Sequence, residues 1–212
     1  MSFFQDHSDL ILKPILMSIK GSKTTTSYLP WNDFLSLILR LERDENYKFC
    51  LLIAIGVYTG LRISDLLTIR YTDILSNDTF LIKEKKTGKT RSIKVNKDLR
   101  ELVNRIYIKT KVENIDQQIF INRFGTKPID RSYVNVKLKE IFKIYRIKVD
   151  GNVSSHTFRK TLGRRVMDVK NYSNESLILL MDLFGHSSPS ITKTYLGIRS
   201  QEIHNVYDSL SL

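Results

Sequence analysis

The stretch Phe49-Cys50-Leu51-Leu52-Ile53-Ala54-Ile55-Gly56-Val57 limits what this chain can fold into more than any other. A helix over about Asn46 to Tyr58 would be apolar on every side, yet at about ten residues the run is roughly half of a membrane span. Such a helix has to be wrapped by other elements of one domain. Gly60 breaks it. Before it, Phe34, Leu37, Ile38 and Leu41 follow the spacing of an amphipathic helix, with Pro30 and Asn32 as start signals. After it, a short helix from Ile63 to about Ile69 would anchor through Leu66, Leu67 and Ile69. Arg62, at its start, is either held rigidly between two packed helices or paired with Asp65 one turn on.

Further along, the pattern changes once. Phe80-Leu81-Ile82-Lys83-Glu84 and Arg91-Ser92-Ile93-Lys94-Val95 alternate apolar and polar residues, which predicts a β-hairpin whose tip, Lys85 to Thr90, is basic. Gly88-Lys89-Thr90 ends like a phosphate-binding P-loop, but the first glycine of that motif would fall on Lys83, which excludes it. The tip is solvated charge or a lysine that reaches a phosphate backbone. Helical spacing returns at Leu99, Leu102, Val103 and Ile106. Ile119-Phe120-Ile121 is a short buried segment, Gly125 to Pro128 a turn, and Asp130 to Tyr145 a helix with the stripe Val134, Leu138, Ile141 and Phe142. Its Lys137, Lys139 and Lys143 read first as a solvated face and second as a polyanion contact, a gap the net charge narrows. Ser154-Ser155 caps a helix reaching about Val169; helices over Ser176 to Leu183 and about Ser200 to Leu210 follow. Between them, Ser188 and Pro189 read as N-cap and first position of another short helix. Leu10 to Ile19 fits a short amphipathic helix, and Gly21 to Ser27 a linker or a basic arm. The expected division is therefore an arm or linker over 1–27 and one domain over 28–212, mainly α with a small antiparallel hairpin (α+β).

The charge is lopsided: 34 Lys+Arg against 22 Asp+Glu, a net +12. That surplus favours a polyanionic partner, because each neutralised phosphate releases a counterion. A membrane surface would want a long basic amphipathic helix, and none is present. The single cysteine, Cys50, lies in the apolar run and reads as a small buried hydrophobe in a reducing compartment; it rules out disulfides and, with four scattered histidines, a cysteine-rich zinc site. Met1 to His7 lacks the basic and apolar regions of a secretory signal, so a cytoplasmic, nucleoid-associated protein is expected, with no cofactor and no metal.

Several short polar motifs then stand in a fixed order. They are Thr59-Gly60-Leu61-Arg62-Ile63-Ser64-Asp65, Lys86-Thr87-Gly88-Lys89, His156-Thr157-Phe158-Arg159, Gly185-His186, and Tyr195 nine residues after that histidine. His156 and Arg159, three apart in a first helical turn, share a face where the helix dipole favours an anion. In this order and spacing, over about residues 28 to 200, the motifs resemble the tyrosine recombinase (phage integrase) family. The resemblance implies that family's catalytic-domain fold and a site made of Arg62, Lys86, His156, Arg159, His186 and Tyr195. It further implies site-specific DNA strand transfer, in which Tyr195 attacks a backbone phosphorus to leave a 3′-phosphotyrosine and a 5′-hydroxyl.

The residue types suit those roles. Two guanidiniums grip non-bridging oxygens and stay charged at any working pH. His156 is the candidate base for a phenol that is only about a thousandth ionised at pH 7. Lys86, preferred over Lys83, Lys85 and Lys89 for its Lys-Thr-Gly setting, is the candidate acid for the leaving 5′-oxygen, and His186 a hydrogen-bond donor to the phosphate. The implied partner is double-stranded DNA, bound by a homotetramer that is monomeric in free solution, with accessory DNA-bending proteins. A type IB topoisomerase and a DNA-binding regulator without catalysis are the alternative functions. Residues 1–27 are too few for the clamp domain usual in the family, so the chain is a catalytic piece of a longer recombinase or one of the short kind that inverts promoters.

Overall fold

The structure is a computed structural model that describes residues 26–210. The expected helix over Leu10 to Ile19, and all of the arm up to residue 25, lie outside the described residues. Thr26 makes an isolated bridge to Asn152, and the Ser27 amide donates to the Asn152 carbonyl at 2.9 Å, so the chain enters beside the loop that precedes the His156 helix.

The described elements are α1 (Trp31–Arg43), α2 (Tyr47–Thr59), α3 (Ile63–Leu66), α4 (Tyr71–Leu75), β1 (Thr79–Lys83), β2 (Thr90–Lys94), α5 (Lys97–Thr110), α6 (Arg131–Ile144), α7 (His156–Val169), α8 (Asn174–Phe184), α9 (Pro189–Leu196) and α10 (Ile198–Asp208). As its composition requires, α2 is the centre: every residue from Phe49 to Val57 is buried, and α1, α5 and α7 pack around it. Gly60 ends it in a left-handed turn, φ 60°, where an added Cβ would lie 2.7 Å from Leu162. Glycine is therefore required there for both conformation and space. No helix among the described residues is long and apolar enough to cross a membrane.

Two expectations need correction. The helix after Arg62 stops at Leu66 instead of reaching Ile69, and a further short helix, α4, follows it. The reason is competition for the backbone: the Ile69 carbonyl and the Tyr71 and Thr72 amides bond to Ile119, Gln117 and Ile115, while the Asp73 carboxylate accepts the Arg70 amide at 2.8 Å and starts a new turn. The hairpin is shifted one residue towards the N-terminus on both strands, with Thr79 opposite Lys94 and Lys83 opposite Thr90. Phe80, Ile82 and Ile93 face the core, and Glu84 follows them inward just beyond β1. Ile119 and Phe120 are buried as expected, between isolated bridges at Gln118 and Ile121.

Among the described residues the apolar interior forms two clusters. The larger surrounds α2; the smaller holds Met167, Leu177, Leu180, Phe184, Leu196 and Ile198 from α7, α8, α9 and the start of α10. Thus α9, with Tyr195, rests on the smaller one.

Candidate active site

The site is built on two helix ends. The last carbonyls of a helix have no partner within it and carry the negative end of its dipole. α2 and α8 each end at a left-handed glycine, Gly60 at φ 60° and Gly185 at φ 61°, and aim those carbonyls at three arginines. Arg159 donates to the Gly60 carbonyl at 2.7 Å and the Phe184 carbonyl at 3.0 Å. Arg62 donates to the same Phe184 oxygen at 3.0 Å. Arg91 spans the Thr59 carbonyl at 2.9 Å and the Leu183 carbonyl at 3.2 Å. Sharing one acceptor sets Arg62 and Arg159 side by side, which their like charges would oppose in isolation.

A buried carboxylate completes the frame. Glu84, 5% exposed in its side chain, accepts from Arg62 at 2.6 Å, lies 3.5 Å from Arg91 and takes the Thr87 hydroxyl at 2.8 Å. Burial pushes its carboxyl up, but the hydrogen bonds from Thr87 and Arg62 and the charge of Arg91 outweigh this and hold it below the usual carboxylate value. Arg62 therefore pairs with Glu84. Asp65 points elsewhere, accepting the Lys85 amide at 3.0 Å and the Ser64 hydroxyl at 3.2 Å.

Arg62, Lys86, His156 and Arg159 line one cavity of about 310 Å³, together with Ser64, Ser155 and Arg131. Among the described residues the Lys86 ammonium has no acidic or hydrogen-bonding partner. Lys89 lines a different cavity with Glu84 and His186, and Lys83 and Lys85 border neither. His156 opens α7; its amide is taken by the Ser154 hydroxyl at 3.2 Å, while Ser155 occupies the cap position without a side-chain bond. Desolvation lowers the His156 pKa, and repulsion from Arg131, Arg159, Lys160 and Arg62 lowers it further, so the ring is neutral at pH 7.

Tyr195 and His186 stand at the flank of this cavity. The Tyr195 ring centroid is 5.2 Å from that of His186, 5.6 Å from Phe184 and 6.4 Å from His156, all edge-on. Its hydroxyl makes a long contact, 3.5 Å, to the His156 carbonyl, and the Lys160 ammonium sits 5.3 Å over its ring. Burial raises the phenol's pKa, with Arg159 and Arg62 pulling the other way. His186 Nδ1 lies 3.0 Å from the hydroxyl of fully buried Thr192; burial, then Arg159, Arg62 and Lys86, lower that ring's pKa as well.

α9 is placed by its own sequence. Ser188 caps it through the Ile191 amide, Pro189 fills its first turn, and buried Arg164 holds its last carbonyl, Leu196, at 3.0 Å. Gly163 on α7 makes the approach possible, since a Cβ there would lie 2.5 Å from Leu196.

With this geometry in view, comparison with known proteins is decisive at the family level. Residues 31–202 match the model of the phage integrase family. The chain belongs to that family. It is 30% identical over 168 residues to the probable integrase/recombinase YoeC of Bacillus subtilis, covering 77% of this chain and 85% of that one. To the tyrosine recombinase XerH of Campylobacter jejuni it is 28% identical over 159 residues, which is 72% of this chain and 42% of XerH. Among solved structures, XerH site-specific recombinase bound to palindromic difH substrate superimposes with a TM-score of 0.63 at 20% identity, over 87% of this chain and 53% of that one; this likeness speaks to the fold. The chain spans less than half the length of the Campylobacter jejuni XerH and about half of the XerH chain in the solved complex.

In this integrase-family chain, four of the side chains singled out from the sequence, Arg62, Lys86, His156 and Arg159, share one cavity, and the other two, His186 and Tyr195, pack beside it. Sequence reasoning missed Glu84, Arg91 and Thr192. Glu84 had a readable signal: it continues the inward alternation Phe80, Ile82 with a carboxylate at a core-facing place. Arg91 lies opposite Ile82 and inherits the same face once the register is known. Thr192 had none, because only the turn at Gly185 brings His186 back onto the helix that follows.

Proposed function

We propose that the chain is a site-specific recombinase domain that cleaves and rejoins duplex DNA through a phosphotyrosine on Tyr195. The observation that carries the proposal is the convergence of three guanidiniums, a lysine and a neutral imidazole on one cavity, with a tyrosine and a second imidazole of the same chain at its flank. A regulator that only binds DNA has no use for a half-buried tyrosine set among cations. The complex of XerH with its difH substrate supports DNA as the partner.

The scissile phosphate sits against the free N–H groups of Arg62 and Arg159, which carry the charge that develops on its non-bridging oxygens. His156 accepts the Tyr195 proton as the phenolic oxygen bonds to phosphorus. The bond to the 5′-oxygen breaks, Lys86 gives that oxygen a proton, and His186 donates a hydrogen bond to the phosphate. Attack by a second strand's 5′-hydroxyl reverses these transfers, so the phosphoryl bond is conserved. At rest the Tyr195 hydroxyl meets the backbone of His156 and not its ring, so base and nucleophile are adjacent and become aligned when the phosphate enters. Because Tyr195 packs in its own chain's site, cleavage is assigned to the subunit that holds the phosphate. The exposed Ile203, Val206, Tyr207 and Leu210 on and just past α10 support assembly of several copies on DNA, a homotetramer in the proposed reaction.

The test is a covalent adduct. On a nicked duplex carrying the recombination site, the protein is expected to form a denaturation-resistant protein–DNA species that persists in EDTA and disappears in Tyr195→Phe. An adduct that survives Tyr195→Phe places the nucleophile elsewhere. Synapsis and exchange between two duplexes separates recombination from simple DNA relaxation.

A further inference from the structure

The lysine assigned above as general acid sits on a hairpin tip whose residues, Lys85 to Thr90, are exposed, with Gly88 at φ 68°. Such a tip has many conformations, and a proton donor must stay within hydrogen-bond reach of the leaving oxygen. Backbone bonds close its base: the Glu84 amide to the Lys89 carbonyl at 2.9 Å and the Gly88 amide to the Glu84 carbonyl at 2.8 Å. Before Lys86, the Lys85 amide is tied to Asp65 at 3.0 Å. After it, the Thr87 hydroxyl donates 2.8 Å to Glu84 Oε2, the same oxygen that accepts Arg62 at 2.6 Å. One carboxylate oxygen thus joins the loop that carries Lys86 to the guanidinium that lines the cavity with it.

We infer that Glu84 and Thr87 form a clamp that positions Lys86 against the leaving 5′-oxygen, with Arg62 as the fixed point of reference. The inference rests on the reading of the site given above. Three features of the structure carry it. Glu84 is a buried carboxylate whose other neighbours are arginines already held by helix ends, so it cannot move without breaking the frame. Thr87 is itself exposed, so its hydroxyl is not needed to fill space. Lys86 has no partner of its own among the described residues, so its place is set by its neighbours in the chain. Glu84 and Thr87 touch no reacting atom in this scheme; they act through Lys86 and are positioning residues.

The leaving group provides a readout that loosened folding would not move. An oxygen leaving as an alkoxide needs a proton, whereas a sulfur in the same bridging 5′ position leaves as a stable thiolate and needs none. We expect Thr87→Val to slow adduct formation ~10-fold to ~100-fold on a nicked duplex with the ordinary phosphodiester, within the range general acids contribute. On the same duplex with a bridging 5′ sulfur it should run within ~3-fold of the unmodified protein, and Thr87→Ser should recover most of the loss on oxygen. Glu84→Gln should show the same rescue in part, with a residual defect on sulfur because it also loosens Arg62. Thr87→Val cleaving the oxygen substrate at the unmodified rate, or showing the same defect on sulfur as on oxygen, would overturn the clamp. Failure of the unmodified protein to form an adduct on either substrate would overturn the site reading itself, before any variant is compared.

Discussion

Charge at the residue scale is arranged so that one acid, with helix-end carbonyls, holds three cations. Arg62, Arg91 and Arg159 are held by helix-end carbonyls and a single carboxylate, which leaves part of each guanidinium unspent. Replacing Arg62 by lysine keeps the charge but cannot span Glu84 and the Phe184 carbonyl at once, and its compact ammonium cannot grip two oxygens. Adduct formation by Arg62→Lys is expected to fall about 10³-fold, as when an arginine is lost from other phosphoryl-transfer sites, measured in single-turnover cleavage. The same crowd of cations sets the pH response. His156 lies below the ordinary histidine value, so it is in its base form at pH 7 and becomes protonated only at lower pH. The acid limb of the cleavage profile should therefore fall below about pH 6.5. Arg131 is the largest charge cause after desolvation, so Arg131→Gln should move that limb upward. A limb unmoved by Arg131→Gln would mean that another group titrates.

Among the elements, α9 carries the proposed nucleophile, so its position should govern cleavage. It stands on the smaller apolar cluster, fixed by Leu196 over Gly163, by Arg164 on its last carbonyl and by the His186–Thr192 contact before Tyr195. In Gly163→Ala two effects oppose each other. Alanine is the better helix former by about 0.5–1 kcal/mol, while a methyl 2.5 Å from Leu196 and 3.2 Å from Phe184 overpacks the seam at a cost of about 1–3 kcal/mol. The packing loss wins and falls on the seating of α9. Cleavage is expected to drop about tenfold for a loss near 1.4 kcal/mol, with the thermal midpoint lowered by only a few degrees. Wild-type cleavage by Gly163→Ala would show that the seam yields freely. Capping and periodicity made this helix legible in advance, since Ser188 and Pro189 are local signals. The break between α3 and α4 was not legible, because the partners that end the helix, Gln117 and Ile119, come from a segment nearly fifty residues later.

The whole molecule joins a large core around α2 to a smaller one under α9. Local opening should follow that division: amides of α9 and α10 are expected to exchange with solvent well before those of α2, read by hydrogen exchange. Uniform protection across both clusters would argue against separate docking of α9. The net charge of +12 acts at this scale too. Binding to duplex DNA should weaken at least ~100-fold between ~50 and ~200 mM monovalent salt, with log K linear in log salt, as measured by fluorescence anisotropy. By itself the chain's sequence determined where the helices lie apart from the break between α3 and α4, that Phe49–Val57 must be central, the surplus of positive charge, and the order of Arg62, Lys86, His156, Arg159, His186 and Tyr195, because periodicity, caps and composition are local. The tertiary structure alone decided that Phe184 and Gly60 lend their carbonyls to the arginines, that Glu84 and not Asp65 pairs with Arg62, and that Tyr195 rests between two imidazoles. Those are contacts between residues far apart in the chain, and burial makes them strong only after the cores have closed.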